Sequence, residues 1–248
     1  MSRFFQDVAT AFQFLTCLPL NWLTYEADAL PRAAKYFPVV GLAVGTATAG
    51  IYRLLSAHLP IAVISLVIVL FSTLVTGGLH EDGLADAADA FGGGWNRQQV
   101  LDIMRDSRIG SYGALALIFS VAGRVLLLTY IPAGSFVQYV ICAEVLCRWV
   151  MLPLGIALAA ARDRDGQGAR FAHHISGVSL AVGTLISLGV AAFMLQLSAA
   201  WPIAAASTVT LFSGLYYKKR IGGITGDCFG ATSQVTLLAV YFCGVWRG

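Results

Sequence analysis

The sequence predicts an all-α fold: a polytopic integral membrane helical bundle of about seven spans, with an N-terminal interfacial amphipathic helix. Three observations carry this. Of 248 residues, 58% are hydrophobic and 12% are charged, about half the ~25% charge of a soluble domain. Apolar stretches recur at the length of about 20 residues that a bilayer crossing needs. The basic residues fall in alternate connections between those stretches. This composition excludes a disordered chain and makes an ordinary water-soluble globule a poor fit.

The first element is residues 1–20, where Phe4, Phe5, Val8, Phe12, Leu15 and Leu18 recur at three- and four-residue spacing, with Arg3, Asp7 and Gln13 off the stripe. The pattern fits a helix lying at the cytoplasmic interface and equally a helix packed against the bundle. It does not fit a signal peptide, because Asp7 and Gln13 interrupt the apolar run and no small-x-small cleavage pattern follows. Spans are then predicted at 36–55, 60–79, 111–131, 136–160, 178–197, 199–217 and 229–246. The fifth and sixth nearly meet through Ser198 to Pro202, which predicts a tight hairpin. The seventh opens on polar turns with Thr232, Ser233, Gln234 and Thr236. With no sustained repeat and no low-complexity tail, residues 1–248 read as one membrane-embedded domain.

Orientation follows from Lys and Arg. Arg3, Arg32 and Lys35 precede the first span; Arg97, Arg105 and Arg108 follow the second. Arg162, Arg164 and Arg170 follow the fourth, and Lys218, Lys219 and Arg220 follow the sixth. These hold 12 of the 16 basic residues, so the N-terminus and every long polar loop are expected to face the cytoplasm. A net charge of +3 without a long basic run gives no reason to expect nucleic acid. The five cysteines are scattered, with neither disulfide-framework nor zinc-site spacing. An oligomer is compatible with the pattern.

The acidic residues are not scattered. Six of 13 lie between Glu81 and Asp106. At ~100° per residue, Asp86 lies about 40° from Asp82 and Asp89 about 20° to its other side, so three carboxylates share one helical face. Like charges so placed repel, and a hard divalent cation that takes carboxylate, water and phosphate oxygens relieves the repulsion. His80 stands beside them, and Gly77 and Gly78 suit a close backbone approach to a ligand; Gly78 is a candidate substrate contact. Asp106 is a candidate further ligand from a second element, and Arg105 and Arg108 are candidates to hold phosphate. The glycine-rich turn with Thr225, Gly226 and Asp227 opens the last span and suits an anion. Arg124 and Arg148 inside spans need partners, and Glu144 is one turn from Arg148. A solvated acidic face, positive-inside anchoring and an internal ion pair are the plainer readings of these same groups. Together the groups suit metal-assisted transfer on a diphosphate substrate at one membrane rim.

The motifs His80-x-Asp82-Gly83-Leu84-Ala85-Asp86-x-x-Asp89, Ile103-Met104-Arg105-Asp106-Ser107-Arg108-Ile109-Gly110 and Gly222-Gly223-x-Thr225-Gly226-Asp227-x-x-Gly230-Ala231 resemble those of the cobalamin synthase (adenosylcobinamide-GDP ribazoletransferase) family. The resemblance extends to Phe14-Leu15-Thr16-x-Leu18-Pro19 and Phe37-Pro38-x-x-Gly41, and so covers nearly the whole chain. It implies a transferase of the bacterial cytoplasmic (inner) membrane. The reaction would join adenosylcobinamide-GDP and alpha-ribazole, or its 5'-phosphate, to give adenosylcobalamin or its phosphate plus GMP, with Mg²⁺. It further implies Asp82, Asp86, Asp89 and Asp106 as metal ligands and Asp82 and His80 as catalytic. Arg105, Arg108, Gly78, Thr225, Gly226 and Asp227 would bind substrate. Glu81, Gln234 and Leu237 depart from the family pattern, so Glu81 is not carried over as a ligand and Asp227 is placed with substrate. An intramembrane prenyltransferase, with Asp163 and Asp165 as a second acidic motif, and a transporter are the alternative readings.

Overall fold

A backbone in hydrocarbon must satisfy its own hydrogen bonds, and helices are the way one open chain does so. The computed structural model describes residues 3–20, 29–161 and 175–246. Among them the only non-helical pairing is an isolated parallel bridge between Ala160 and Ile224. Arg162, Asp163, Arg164, Asp165 and Arg170 lie outside the described residues.

Helix α1 (Arg3–Leu15) does not lie on the bundle by its aromatic stripe. It packs through Asp7, Ala11 and Leu15, while Phe4 and Phe5 stay exposed. Asp7, expected on the polar side, is buried because Arg32 and Lys35 reach its two oxygens at 3.1 and 3.0 Å. The packed reading of this segment therefore holds, and its exposed aromatic face is compatible with an interface. The short α2 (Leu30–Ala33) carries Arg32, and the 3₁₀ turn that follows it (Ala34–Tyr36) carries Lys35 and leads into α3 (Phe37–Leu55).

The second span is shorter than expected. Helix α4 (Ile61–Val75) stops four residues before 79, and α5 (Leu79–Gly93) leaves at 89° to it. Gly77 and Gly78 make this corner, with φ of +64° and +69°, a region costly for any residue with a Cβ. After the short α6 (Arg97–Ile103) come α7 (Ser111–Tyr130), α8 (Phe136–Trp149) and α9 (Met151–Ala157). The span read at 136–160 holds as one candidate crossing over 136–157, in which the helix loosens at Val150 shortly before Pro153, which lacks an N–H for the ladder.

Helices α10 (Gly177–Leu195) and α11 (Ala200–Ile221) form one run of 45 residues with a 3₁₀ turn between them. Straight, that run would be about 68 Å long, more than twice the ~30 Å hydrocarbon layer. It is not straight: Gly183 lies against Leu152 and Gly214 against Leu154, neighbours on α9. The chain therefore reverses at Gln196, whose φ is +50°, as the hairpin expectation requires. Among the described residues five stretches are long and apolar enough to cross a membrane, and the bent α4–α5 pair makes six. Taking the hairpin as two helices brings the count to the seven expected. The last is α12 (Gly226–Trp246).

Helix α8 is the axis of the bundle. Of the apolar window in 136–157, 78% is buried, against 22% for α7 and for the hairpin. Helix α3 lies against α8 at glycines: a Cβ on Gly41 would collide with the Glu144 carbonyl, and one on Gly45 would stand 2.9 Å from Ile141 Cα. Small residues at such crossings let membrane helices approach closely. Phe119, Leu126, Leu185, Phe193 and Phe212 point outward, an apolar surface suited to lipid.

Candidate active site

The site is built where α5 crosses α12. Both helices are small-residue at the crossing: a Cβ on Gly83 would meet Asp227 O at 3.0 Å and Gly230 Cα at 3.2 Å, and one on Gly230 would meet His80 O at 3.1 Å. The backbones are therefore in contact, and His80 and Asp82 on α5 face Asp227 on α12 across a cavity of about 170 Å³. Phe14, Met151 and Phe229 supply its apolar wall. Asp82 also borders a wider groove of about 760 Å³, with Asp86, Gly78, Ser107 and Ile109. Asp82 is exposed and Asp86 half-buried, so both carboxylates can be reached from that groove.

The other two carboxylates of α5 are turned to α7. Asp89 accepts from Gly110 N at 2.7 Å and from Gly113 N at 2.9 Å, one bond to each oxygen. These are amides at the N-terminus of α7, which carries no cap from its own Gly110, so Asp89 caps that helix from outside. Each oxygen keeps a lone pair. Glu81 accepts from Arg124 Nη1 and from Thr73 Oγ1, both at 2.9 Å. Glu81 was set aside in the sequence, and Arg124 had no assigned partner. The signal was present, since a cation in a span requires a counter-charge. Arg148 does pair with Glu144 within α8, as expected.

Asp106 and Arg108 hold each other, with Arg108 Nη2 at 2.6 Å from Asp106 Oδ2. The guanidinium keeps the carboxyl down at about 2 through its hydrogen bonds. Arg105 is exposed beside them. Thr225 opens α12: its hydroxyl accepts from Cys228 N at 3.4 Å and donates to Asp227 Oδ2 at 3.2 Å. Gly226 and Asp227 line the cavity, at a helix end whose amides favour anions.

Two basic residues taken for orientation signals latch the loops around the site. Arg97 donates to Ile221 O at 2.8 Å and Ala161 O at 2.7 Å; Arg220 donates to Gly94 O at 2.7 Å. Among the described residues no three His, Cys, Asp or Glu side chains converge into a ready metal cage. The structure thus brings together His80, Asp82, Asp86, Gly78, Gly226 and Asp227, while Asp89 is engaged by α7 and Asp106 by Arg108.

Relatives share this chain over nearly its full length. An adenosylcobinamide-GDP ribazoletransferase of Polaromonas sp. (strain JS666 / ATCC BAA-500) is 36% identical, covering 97% of this chain and 96% of its own. Proteins of the same name from Shewanella frigidimarina (strain NCIMB 400) and Shewanella oneidensis are 35% and 37% identical, covering 93% and 94% of this chain and 90% of each relative. No solved structure gives a significant match. The family model for cobalamin-5-phosphate synthase matches residues 7–245, and the chain belongs to that family.

Proposed function

We propose that the chain is an adenosylcobinamide-GDP ribazoletransferase, catalysing the last step of nucleotide-loop assembly at the cytoplasmic face of the bacterial inner membrane. The observation that carries the reading is the α5–α12 crossing, which sets Asp82 and Asp86 on a groove beside Asp227, in a chain of this family. The hydroxyl of alpha-ribazole, or of its 5'-phosphate, attacks the cobinamide-side phosphorus of adenosylcobinamide-GDP. The new P–O bond forms as the bond to GMP breaks, and GMP leaves. The hydroxyl proton passes to one of the site carboxylates or to His80.

The donor set fits Mg²⁺. The ion commonly uses one or two carboxylates and completes its shell with water and substrate phosphate rather than a protein cage, and two reachable carboxylates one turn apart are what the groove presents. Asp82 and Asp86 would hold it, with the remaining lone pairs of Asp89 as further donors and Asp106 approaching from the 104–110 loop. Bound there, the ion would screen the diphosphate and the charge developing on the departing GMP. Arg105, and Arg108 beyond its carboxylate, would receive phosphate oxygens, and the α12 N-terminus with Asp227 would orient the substrate. The basic residues of the loops support the cytoplasmic orientation.

The test is GMP release by detergent-purified protein given adenosylcobinamide-GDP, alpha-ribazole phosphate and Mg²⁺. Release that needs both substrates and stops with EDTA or Asp82→Ala supports the proposal. Release by folded Asp82→Ala at the unmodified rate would overturn the site.

A further inference from the structure

Helix α5 leaves α4 through a corner whose amides bond back into α4, Gly77 N to Leu74 O at 3.1 Å and Gly78 N to Thr73 O at 2.9 Å. The corner is two successive glycines in the left-handed region, and a backbone of that kind is permissive in both dihedrals. Beyond the corner bonds and the Gly83–Gly230 crossing, Glu81 ties the first turn of α5 through its side chain. Its Oε1 takes Thr73 Oγ1 from α4, before the corner, and Arg124 Nη1 from α7, each at 2.9 Å. One carboxylate thus ties three helices together. Eight residues on, Asp89 ties the far end of α5 to the start of α7, so α5 runs antiparallel to α7 between two clips. Asp82 and Asp86 lie between those clips and face the groove.

We propose that Glu81 and Arg124 are positioning residues for the Asp82 carboxylate. Asp82 follows Glu81 by ~100° of helix rotation and ~1.5 Å of rise. Any turn of α5 that breaks the Glu81 bonds swings Asp82 relative to Asp227 across the cavity. His80, on the other side of Glu81, lines the same cavity and moves with it. The Glu144–Arg148 pair has the same chemistry but lies within one helix, so it bridges nothing and sets no angle. The proposal deepens the functional reading above and rests on it for the role of Asp82; the geometry it asserts can be measured without turnover.

The measurement uses full-length protein in detergent. Alkylation of Asp82→Cys by a charged maleimide, in a Cys17→Ser background, reports how that position faces the groove. Glu81→Gln and Arg124→Gln are each added, with Glu144→Gln as a buried-pair control. A several-fold change in labelling rate is expected for the first two and none for the control. In the chain that retains Asp82, Arg124→Gln is expected to lower kcat for GMP release by roughly 10- to 100-fold, as misplacement of a reacting group does, with KM little changed. Glu81→Gln/Arg124→Gln, which restores a neutral hydrogen-bonded pair, is expected to recover part of kcat. Unchanged labelling in folded Arg124→Gln overturns the proposal. Should that variant fail to fold, Thr73→Val removes one donor from the same oxygen, and unchanged labelling there overturns it equally. Absence of GMP release from the unmodified chain would remove the functional reading, while the labelling arm still decides the positioning.

Discussion

Gly83 and Gly230 pack backbone against backbone: a Cβ built on either would stand 3.2 Å from the Cα of the other. This crossing brings the α5 carboxylates to the start of α12, so the distance between Asp82 and Asp227 is set by two missing side chains.

Gly83→Ala is therefore expected to force α5 and α12 apart by a few tenths of an ångström. Overpacking of this sort costs about 1–3 kcal/mol, and the loss of GMP release should exceed what that loss of stability explains. Gly50→Ala on α3, where a Cβ would meet nothing within 4 Å, should be neutral or gain up to about 1 kcal/mol. Thermal unfolding in detergent beside initial rates separates the two. Equal activity in the two variants would show that the crossing does not gauge the site.

The four carboxylates of α5 divide by partner, and their substitutions should divide the same way. Asp82→Asn, with its side chain exposed to the groove, should remove nearly all activity and leave the unfolding temperature unchanged. Asp89→Asn keeps one acceptor and turns an amide toward Gly110 or Gly113. Loss of a helix cap costs about 1–2 kcal/mol, so this variant should unfold earlier and retain more activity than Asp82→Asn. A stability profile with the order inverted would reverse the roles.

The membrane class, the hairpin and the Arg148–Glu144 pair were legible because each follows from local spacing: apolar length, a short connection, one helical turn. The α4–α5 corner was not, since residues 60–79 are apolar to their end, and only the paired positive φ of Gly77 and Gly78 shows that the chain turns. Helical periodicity correctly put Asp82, Asp86 and Asp89 near one face. It could not say that Asp89 would meet the amides of α7, because that neighbour is set by tertiary packing. Glu81 and Arg124 are 43 residues apart in sequence, and no local pattern joins them. Asp7 misled for the same reason, since its partners Arg32 and Lys35 come from another helix.

Asp106 supplies a pH prediction. Arg108 holds its carboxyl at about 2, below the ordinary 3.8, so the folded state favours the ionised form. A depressed carboxylate contributes stability above its unfolded value and loses it as pH falls through the folded one. Asp106 is therefore expected to stay ionised across a profile from about pH 5 to 9 and to contribute no acid limb there. Asp106→Asn should lower the plateau without moving any acid limb in that profile. Arg108→Gln should let the Asp106 carboxyl rise toward its ordinary value. A limb that vanishes in Asp106→Asn would contradict the pairing.

Arg220 stands at the C-terminal end of α11, where charge counting alone makes it a topology signal. Its guanidinium instead donates to Gly94 O at 2.7 Å and Phe91 O at 3.3 Å, and lies over the Phe91 and Tyr216 rings at 5.7 and 5.6 Å. The end of α5 is thereby fastened to the end of α11: Nη2 donates to both carbonyls while Nη1 donates to the Tyr216 hydroxyl at 3.0 Å, and the planar fork is what makes these bonds and the stacking compatible. Lysine keeps the charge and loses the fork. Arg220→Lys should consequently leave membrane insertion unchanged and lower stability by about 1–2 kcal/mol, the scale of a charged hydrogen bond. Cysteine accessibility at the loops and thermal unfolding measure the two effects, and a Lys variant as stable as the native chain would return Arg220 to the role of a charge marker.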